Sequence, residues 1–177
     1  LDRADYKWFN ANIARQWTLP TKWYRSINVI AGEQRQYTYD GLETDEEPHA
    51  FYAMEFPNYW NLRTFWIYKP TLDDDRLTRG GPVVKHTGYN FEHFQVSTDA
   101  RKRAVLDMSV EIAHGVDSPT RTLNLSPGIA FKPMASMFVQ LSPTINRDED
   151  AAQYVTTVPD TTDHAFFGNR YVFAYIR

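Results

Sequence analysis

Several stretches of this chain alternate apolar and polar residues with a period of two, and that alternation fits strands and excludes amphipathic helices. From Ala104 the even positions read Ala104, Leu106, Met108, Val110 and Ile112, while Asp107, Ser109 and Glu111 take the odd side. Leu123, Leu125, Pro127, Ile129 and Phe131 alternate in the same way with Thr122, Asn124, Ser126, Gly128 and Lys132. Met137, Val139, Leu141, Pro143 and Ile145 repeat the pattern against Gln140, Ser142, Thr144 and Asn146. Phe9, Ala11, Ile13 and Trp17 do so near the start, followed by Trp23, Ile27, Val29 and Ala31. A helix would scatter Asp107 and Glu111 among the apolar side chains.

Residue type adds further strands at His49 to Phe56, Tyr59 to Tyr68, Tyr89 to Thr98, Ala151 to Val158 and Arg170 to Ile176. The expected fold is all-β, an antiparallel up-and-down meander of about ten strands. No segment of helical period and no low-complexity linker interrupts it, so 1–177 reads as one domain or an internal fragment of one. The chain opens at Leu1-Asp2-Arg3-Ala4-Asp5 without a Met or a basic-then-apolar leader, and it stops just after Tyr171 to Tyr175. Both ends read as cut, which favours the fragment.

The connections alternate in length. Thr18 to Thr21, Pro57-Asn58, Thr98 to Lys102 and Lys132 to Ala135 are tight turns marked by Pro or Asp. Between them Gly32 to Pro48, Pro70 to Gly88, His114 to Arg121 and Pro159 to Asn169 read as long polar loops. Short turn and long loop in alternation is the rhythm of an outer-membrane barrel. No apolar run reaches the length of a transmembrane helix, whereas a transmembrane strand needs only about 9–11 residues.

Trp8, Trp17, Trp23, Trp60 and Trp66, with Tyr24, Tyr59, Tyr68 and Tyr171, fall near expected strand ends, where interfacial aromatic girdles belong. Arg15, Arg25 and Arg63 sit within expected strands, which a water-filled lumen accepts and a packed core does not. A soluble all-β domain that binds or processes carbohydrate is the alternative, since soluble sheets also alternate. The aromatic content of 15% argues against disorder. Nineteen basic residues against 22 acidic give a net charge of -3, which disfavours a nucleic-acid partner. With no cysteine, disulfides, thiolate metal sites and cysteine nucleophiles are excluded.

Four strings carry a resemblance: Asp75-Arg76-Leu77-Thr78-Arg79-Gly80-Gly81-Pro82, Ser97-Thr98-Asp99-Ala100-Arg101-Lys102, Ala151-Ala152-Gln153-Tyr154-Val155 and Asn169-Arg170-Tyr171-Val172-Phe173-Ala174. In that order they resemble a C-terminal domain of unknown function in large bacterial proteins, chiefly of Gram-negative groups. The likeness covers Asp73 to Ala174, with the first seventy residues following through strand pattern only. It implies an outer-membrane barrel often placed after a carbohydrate-binding domain of the family-nine-like type. The expectations that follow are location in the bacterial outer membrane, the lipid bilayer as partner, and a glycan ligand reached through an upstream domain. The role expected is that of membrane anchor, passage or surface-binding module, without a cofactor or an enzymatic activity of its own.

Arg76, Arg79, Gly80 and Gly81 form the most motif-like loop, with two guanidinium groups for anionic partners and glycines for positive φ. A loop folded inward and pinned by Arg–Asp pairs explains the same residues structurally. Asp73, Asp74 and Asp75 offer hard oxygen ligands for Ca²⁺, but lack the spacing of an EF-hand, and consecutive aspartates more often mark a solvated loop. The histidines His49, His86, His93, His114 and His164 show no zinc spacing. Asp107 and Glu111 lie about 13 Å apart along one strand face, too far for a glycosidase pair on one strand. No nucleophile elbow or phosphate-cradling loop is present.

Overall fold

The computed structural model describes residues 5–134, 136–162 and 168–177, and among them it contains twelve strands and no helix. The strands are β1 (Tyr6–Trp17), β2 (Ser26–Thr38), β3 (Glu43–Glu55), β4 (Asn61–Lys69), β5 (Leu72–Asp74), β6 (Val84–His86), β7 (Tyr89–Ser97), β8 (Ala104–Gly115), β9 (Arg121–Met134), β10 (Met137–Leu141), β11 (Ile145–Pro159) and β12 (Asn169–Ile176). The main sheet runs β1-β2-β3-β4-β7-β8-β9-β11-β12, antiparallel throughout, with β10 also on β9; β5 and β6 form a separate hairpin. Each strand of the main path pairs with its neighbour in chain order once that hairpin is set aside. The meander expected from the alternation is therefore the fold. Among the described residues β1 pairs only with β2 and β12 only with β11.

The ladder register sorts side chains into two faces. One row across the sheet reads Ile145, Leu125, Val110, Phe94, Thr64, Tyr52, Val29 and Arg15. The row one residue over, on the opposite face, reads Asn146, Asn124, Glu111, His93, Phe65, Phe51, Ile30 and Ala14. The first face is apolar almost throughout, whereas the second is polar over β7 to β11 and mixed over β1 to β4. Arg15 stands on the apolar face rather than the polar one, stacked on Trp17 with 4.8 Å between its Cζ and the ring centroid. Arg25 precedes β2 in a turn, which leaves Arg63 as the strand arginine on the polar side.

Prolines explain one departure from the expected strands. Met137 to Ile145 reads as one strand but is broken at residues 142–144. The register is unbroken from Leu141 opposite Ile129 to Ile145 opposite Leu125. Pro143 therefore falls opposite Pro127, and neither proline has an N–H to give to the ladder. Past the gap the chain resumes as β11 and runs without interruption through Ala151 to Pro159, joining two segments that read separately in the sequence.

The acidic stretch Gly32 to Pro48 is the second departure. It is a long hairpin, in which β2 runs to Thr38 and β3 starts at Glu43. Charge pairing makes this extension stable as strand. Arg35 reaches Glu33, Glu43 at 3.4 Å and Glu46 at 3.1 Å, and Lys69 reaches Asp45 at 2.7 Å and Glu47 at 3.0 Å. Trp23 and Tyr24, expected within a strand, lie in the β1–β2 turn, where the Thr21 hydroxyl accepts both of their backbone N–H groups. The expected loop Pro159 to Asn169 falls partly outside the described residues, as does His164.

Candidate functional site

On β8 and β9 burial runs opposite to that of a soluble sheet. No hydrophobic side chain among the described residues is buried. On β8 and β9 Leu106 is 54% exposed, Met108 49%, Ile129 43% and Phe131 45%. Their alternating neighbours Asp107, Ser109, Asn124 and Ser126 are half-buried. The total accessible surface is 12152 Å², against about 8,900 Å² for a compact chain of this mass on the usual scaling. An apolar face turned outward and a polar face turned in is the feature any functional reading has to explain.

The shielded polar face carries a hydrogen-bonded network. His93 Nε2 lies 3.0 Å from Ser109 Oγ, and Asn124 donates to Glu111 Oε2 at 3.0 Å. His49 bridges strands at the other side of the sheet, its Nε2 2.8 Å from Asn12 Oδ1. Asp107 and Glu111 both lie on this face, as their register dictates, and a Cβ at Gly128 would fall on the Asp107 carboxylate. Among the described residues no three side chains of His, Asp or Glu gather to hold a metal ion.

The aromatic residues separate by end of the sheet. Trp17, Trp23, Tyr24, Tyr59 and Trp60 lie at the end where the short turns connect β1 to β2 and β3 to β4. Trp8, Trp66, Tyr68 and Tyr171 lie toward the other end, where the acidic hairpin and the longer connections are. At the short-turn end Tyr59 adopts φ 64° and its ring meets Arg25 at 4.0 Å and Arg101 at 3.1 Å. Arg101 in turn holds Asp99 with two side-chain bonds of 2.8 and 2.7 Å, and Asp99 is only 4% exposed. The Arg101 side chain is the main cause, helped by its backbone N–H, that draws the Asp99 carboxyl down to about 2 against the opposing effect of burial. A clasp thus joins the β3–β4 turn to the β7–β8 turn.

At the opposite end lies the loop that the sequence singles out. Asp74 Oδ1 accepts the backbone N–H groups of Arg76 and Leu77 at 2.7 and 2.9 Å, so this aspartate folds the turn. Asp73 pairs with Lys85 across the β5–β6 hairpin at 2.9 Å. Arg79 and Gly80 have φ of 54° and 96°, and the buried Thr78 hydroxyl donates to the Pro82 carbonyl at 2.8 Å. Arg79 lies over the Tyr154 ring at 5.1 Å, and Gly81 packs so close to Tyr171 that any Cβ would enter its ring. The loop between β5 and β6 thereby touches β11 and β12, although β7, β8 and β9 separate them in the sheet. Sequence reasoning found Arg79, Gly80 and Gly81 but not Tyr154 and Tyr171 as the surface they rest on. Nothing local at those tyrosines signals a partner so distant in sequence.

No family model, no curated protein and no solved structure matches this chain.

Proposed function

We propose that this chain is a section of the wall of a bacterial outer-membrane β-barrel, non-enzymatic in itself, serving as membrane anchor, passage or surface-binding module. The observation that carries the reading is the inverted burial of β8 and β9, apolar side chains outward and Asp107, Ser109, Glu111 and Asn124 shielded. In water that arrangement exposes a broad apolar face with no core beneath it. Against lipid the same face is the stabilising one, and the polar side lines a hydrated interior. Three further features support it: aromatic residues toward both ends of the strands, strands of nine to fifteen residues in most of the main sheet, and a charged hairpin at one end only. We propose with it the association with carbohydrate binding that the resemblance read in the sequence implies.

Membrane fractionation of the parent protein, followed by labelling with a lipid-resident photoactivatable probe, tests the proposal. The label is expected on Leu106, Met108, Leu125 and Ile129, and not on Ser109 or Asn124. Recovery of the protein in the soluble fraction without detergent, or equal labelling of both faces, would overturn it.

A further inference from the structure

The docked β5–β6 hairpin encloses a cleft of about 340 Å³ against β11, lined by Arg76, Arg79, Lys85, His86, Asp150 and Tyr154. We propose that this cleft binds a small hydroxylated anion, the chemistry shared by sugar phosphates and uronic acids. Arg76, Arg79 and Lys85 line it with one carboxylate, Asp150, and Lys85 also pairs with Asp73 across the hairpin at 2.9 Å. Within the lining cationic groups outnumber carboxylates, which favours an anionic ligand. Arg79 is placed by the face of an aromatic ring, a contact that uses up no carboxylate. Thr87 and Gln153 complete the wall with hydroxyl and amide groups suited to sugar hydroxyls. The volume lies at the small end of the range for ligand sites, which fits one sugar ring.

The cleft is also preformed. The Asp74 carboxylate fixes the backbone at Arg76 and Leu77, Arg79 N–H bonds to the Arg76 carbonyl at 2.8 Å, and Thr78 closes the loop onto Pro82. Gly81 against Tyr171 and Arg79 against Tyr154 then seat the loop at two points. A loop ordered before the ligand arrives avoids part of the entropy cost of binding. The site lies between the hairpin and β11, and its lining chemistry is read independently of what the apolar face meets.

Calorimetric titration of the full chain with glucose 6-phosphate, glucuronate, glucose and inorganic phosphate tests the site, in detergent or in plain buffer according to how the protein purifies. Binding of at least one of the two anionic sugars is expected, weakening as salt is raised, with glucose at least tenfold weaker. Which of the two binds more tightly distinguishes phosphate from carboxylate as the recognised group. Arg79→Gln is expected to lower affinity at least tenfold and Arg79→Lys to restore most of it. Lys85→Gln also removes the ion pair with Asp73 and should weaken binding a few-fold. Circular dichroism matching the parent protein certifies each variant. Failure of both anionic sugars to bind at 10 mM, or equal affinity for glucose, would overturn the proposal. Unchanged affinity in folded Arg79→Gln would do the same, and inorganic phosphate binding as well as glucose 6-phosphate would overturn the assignment to a sugar.

Discussion

Placing an arginine at Met108 tests the outward face where its effect should be largest. The apolar side of β9 runs from Leu123 to Phe131, about 27 Å along the strand at ~3.4 Å per residue. Its midpoint is Pro127, which pairs with Met108 on β8. If the strands tilt by about 45°, that length covers about 19 Å of depth, and the aromatic residues beyond it complete the band. Met108 then sits at the midplane, where arginine costs about 2–4 kcal/mol. That corresponds to about a 30- to 700-fold loss in the folding equilibrium. Val110 and Leu125 pair with each other two residues away, about 7 Å along the strand and about 5 Å from the midplane at that tilt. Arginine at either is expected to cost roughly 1–3 kcal/mol. Ser109→Arg, one residue from Met108 but on the polar face, loses the contact with His93 and is expected to cost about 0.5–1.5 kcal/mol. Reversible folding into phospholipid vesicles, followed by tryptophan fluorescence through a urea series, measures all four. A cost at Met108 no larger than at Ser109, or a profile that ignores depth, would refute the assignment of faces.

Three other perturbations follow from the same geometry. The Asp99 carboxyl is held near 2 by Arg101, below the ordinary value of 3.8, so its stabilisation is complete above pH 4 and is lost as pH falls through about 2. The Tyr59 ring resonances should therefore shift as pH falls through about 2 and stay unshifted in Asp99→Asn; the same transition in both proteins would remove Asp99 as its cause. Gly128→Ala drives a methyl into the Asp107 carboxylate and is expected to destabilise by about 1–3 kcal/mol. Adding Asp107→Gly should recover most of that loss in a double-mutant cycle, and strict additivity would count against the contact. Lys69→Met leaves Asp45 and Glu47 without the cation they share and is expected to cost about 1–3 kcal/mol. Hydrogen exchange should localise that loss to the β2–β3 hairpin, and uniform loosening of the whole sheet would contradict the local pairing.

Much of the fold was legible because a strand writes its two faces into sequence with a period of two. Where both faces have one character, as on β8 and β9, the reading reached the faces: Leu125 and Asn124 fall on opposite sides as their alternation demands. Where charge decides, the same reasoning failed. Glu43, Asp45, Glu46 and Glu47 look like a loop because isolated acidic residues disfavour strands. Arg35, Lys69 and Gln34, supplied by adjacent strands, are what make them one. The prolines show the converse. Pro127 and Pro143 count as members of the apolar alternation in the sequence, but their meaning depends on standing opposite each other, which only pairing reveals.

The candidate site follows the same division between local and distant information. Gly80 signals a left-handed loop through residue type alone and has positive φ, whereas the positive φ of Arg79 is not signalled by its residue type. The identity of Gly81 has a different cause, since its requirement comes from Tyr171, ninety residues further on. A loop that crosses three strands to rest on Tyr154 and Tyr171 also needs those strands between its two supports to hold a fixed curvature. The apolar face and the anion cleft are therefore mechanically linked. If lipid or further strands set the curvature of β7 to β9, they also set the distance between Arg79 and Tyr154. Affinity for an anionic sugar should consequently differ between detergent and bilayer, while Gly81→Leu, which displaces the loop, should bind weakly in both. Identical affinity in the two environments would separate the cleft from the sheet that carries it.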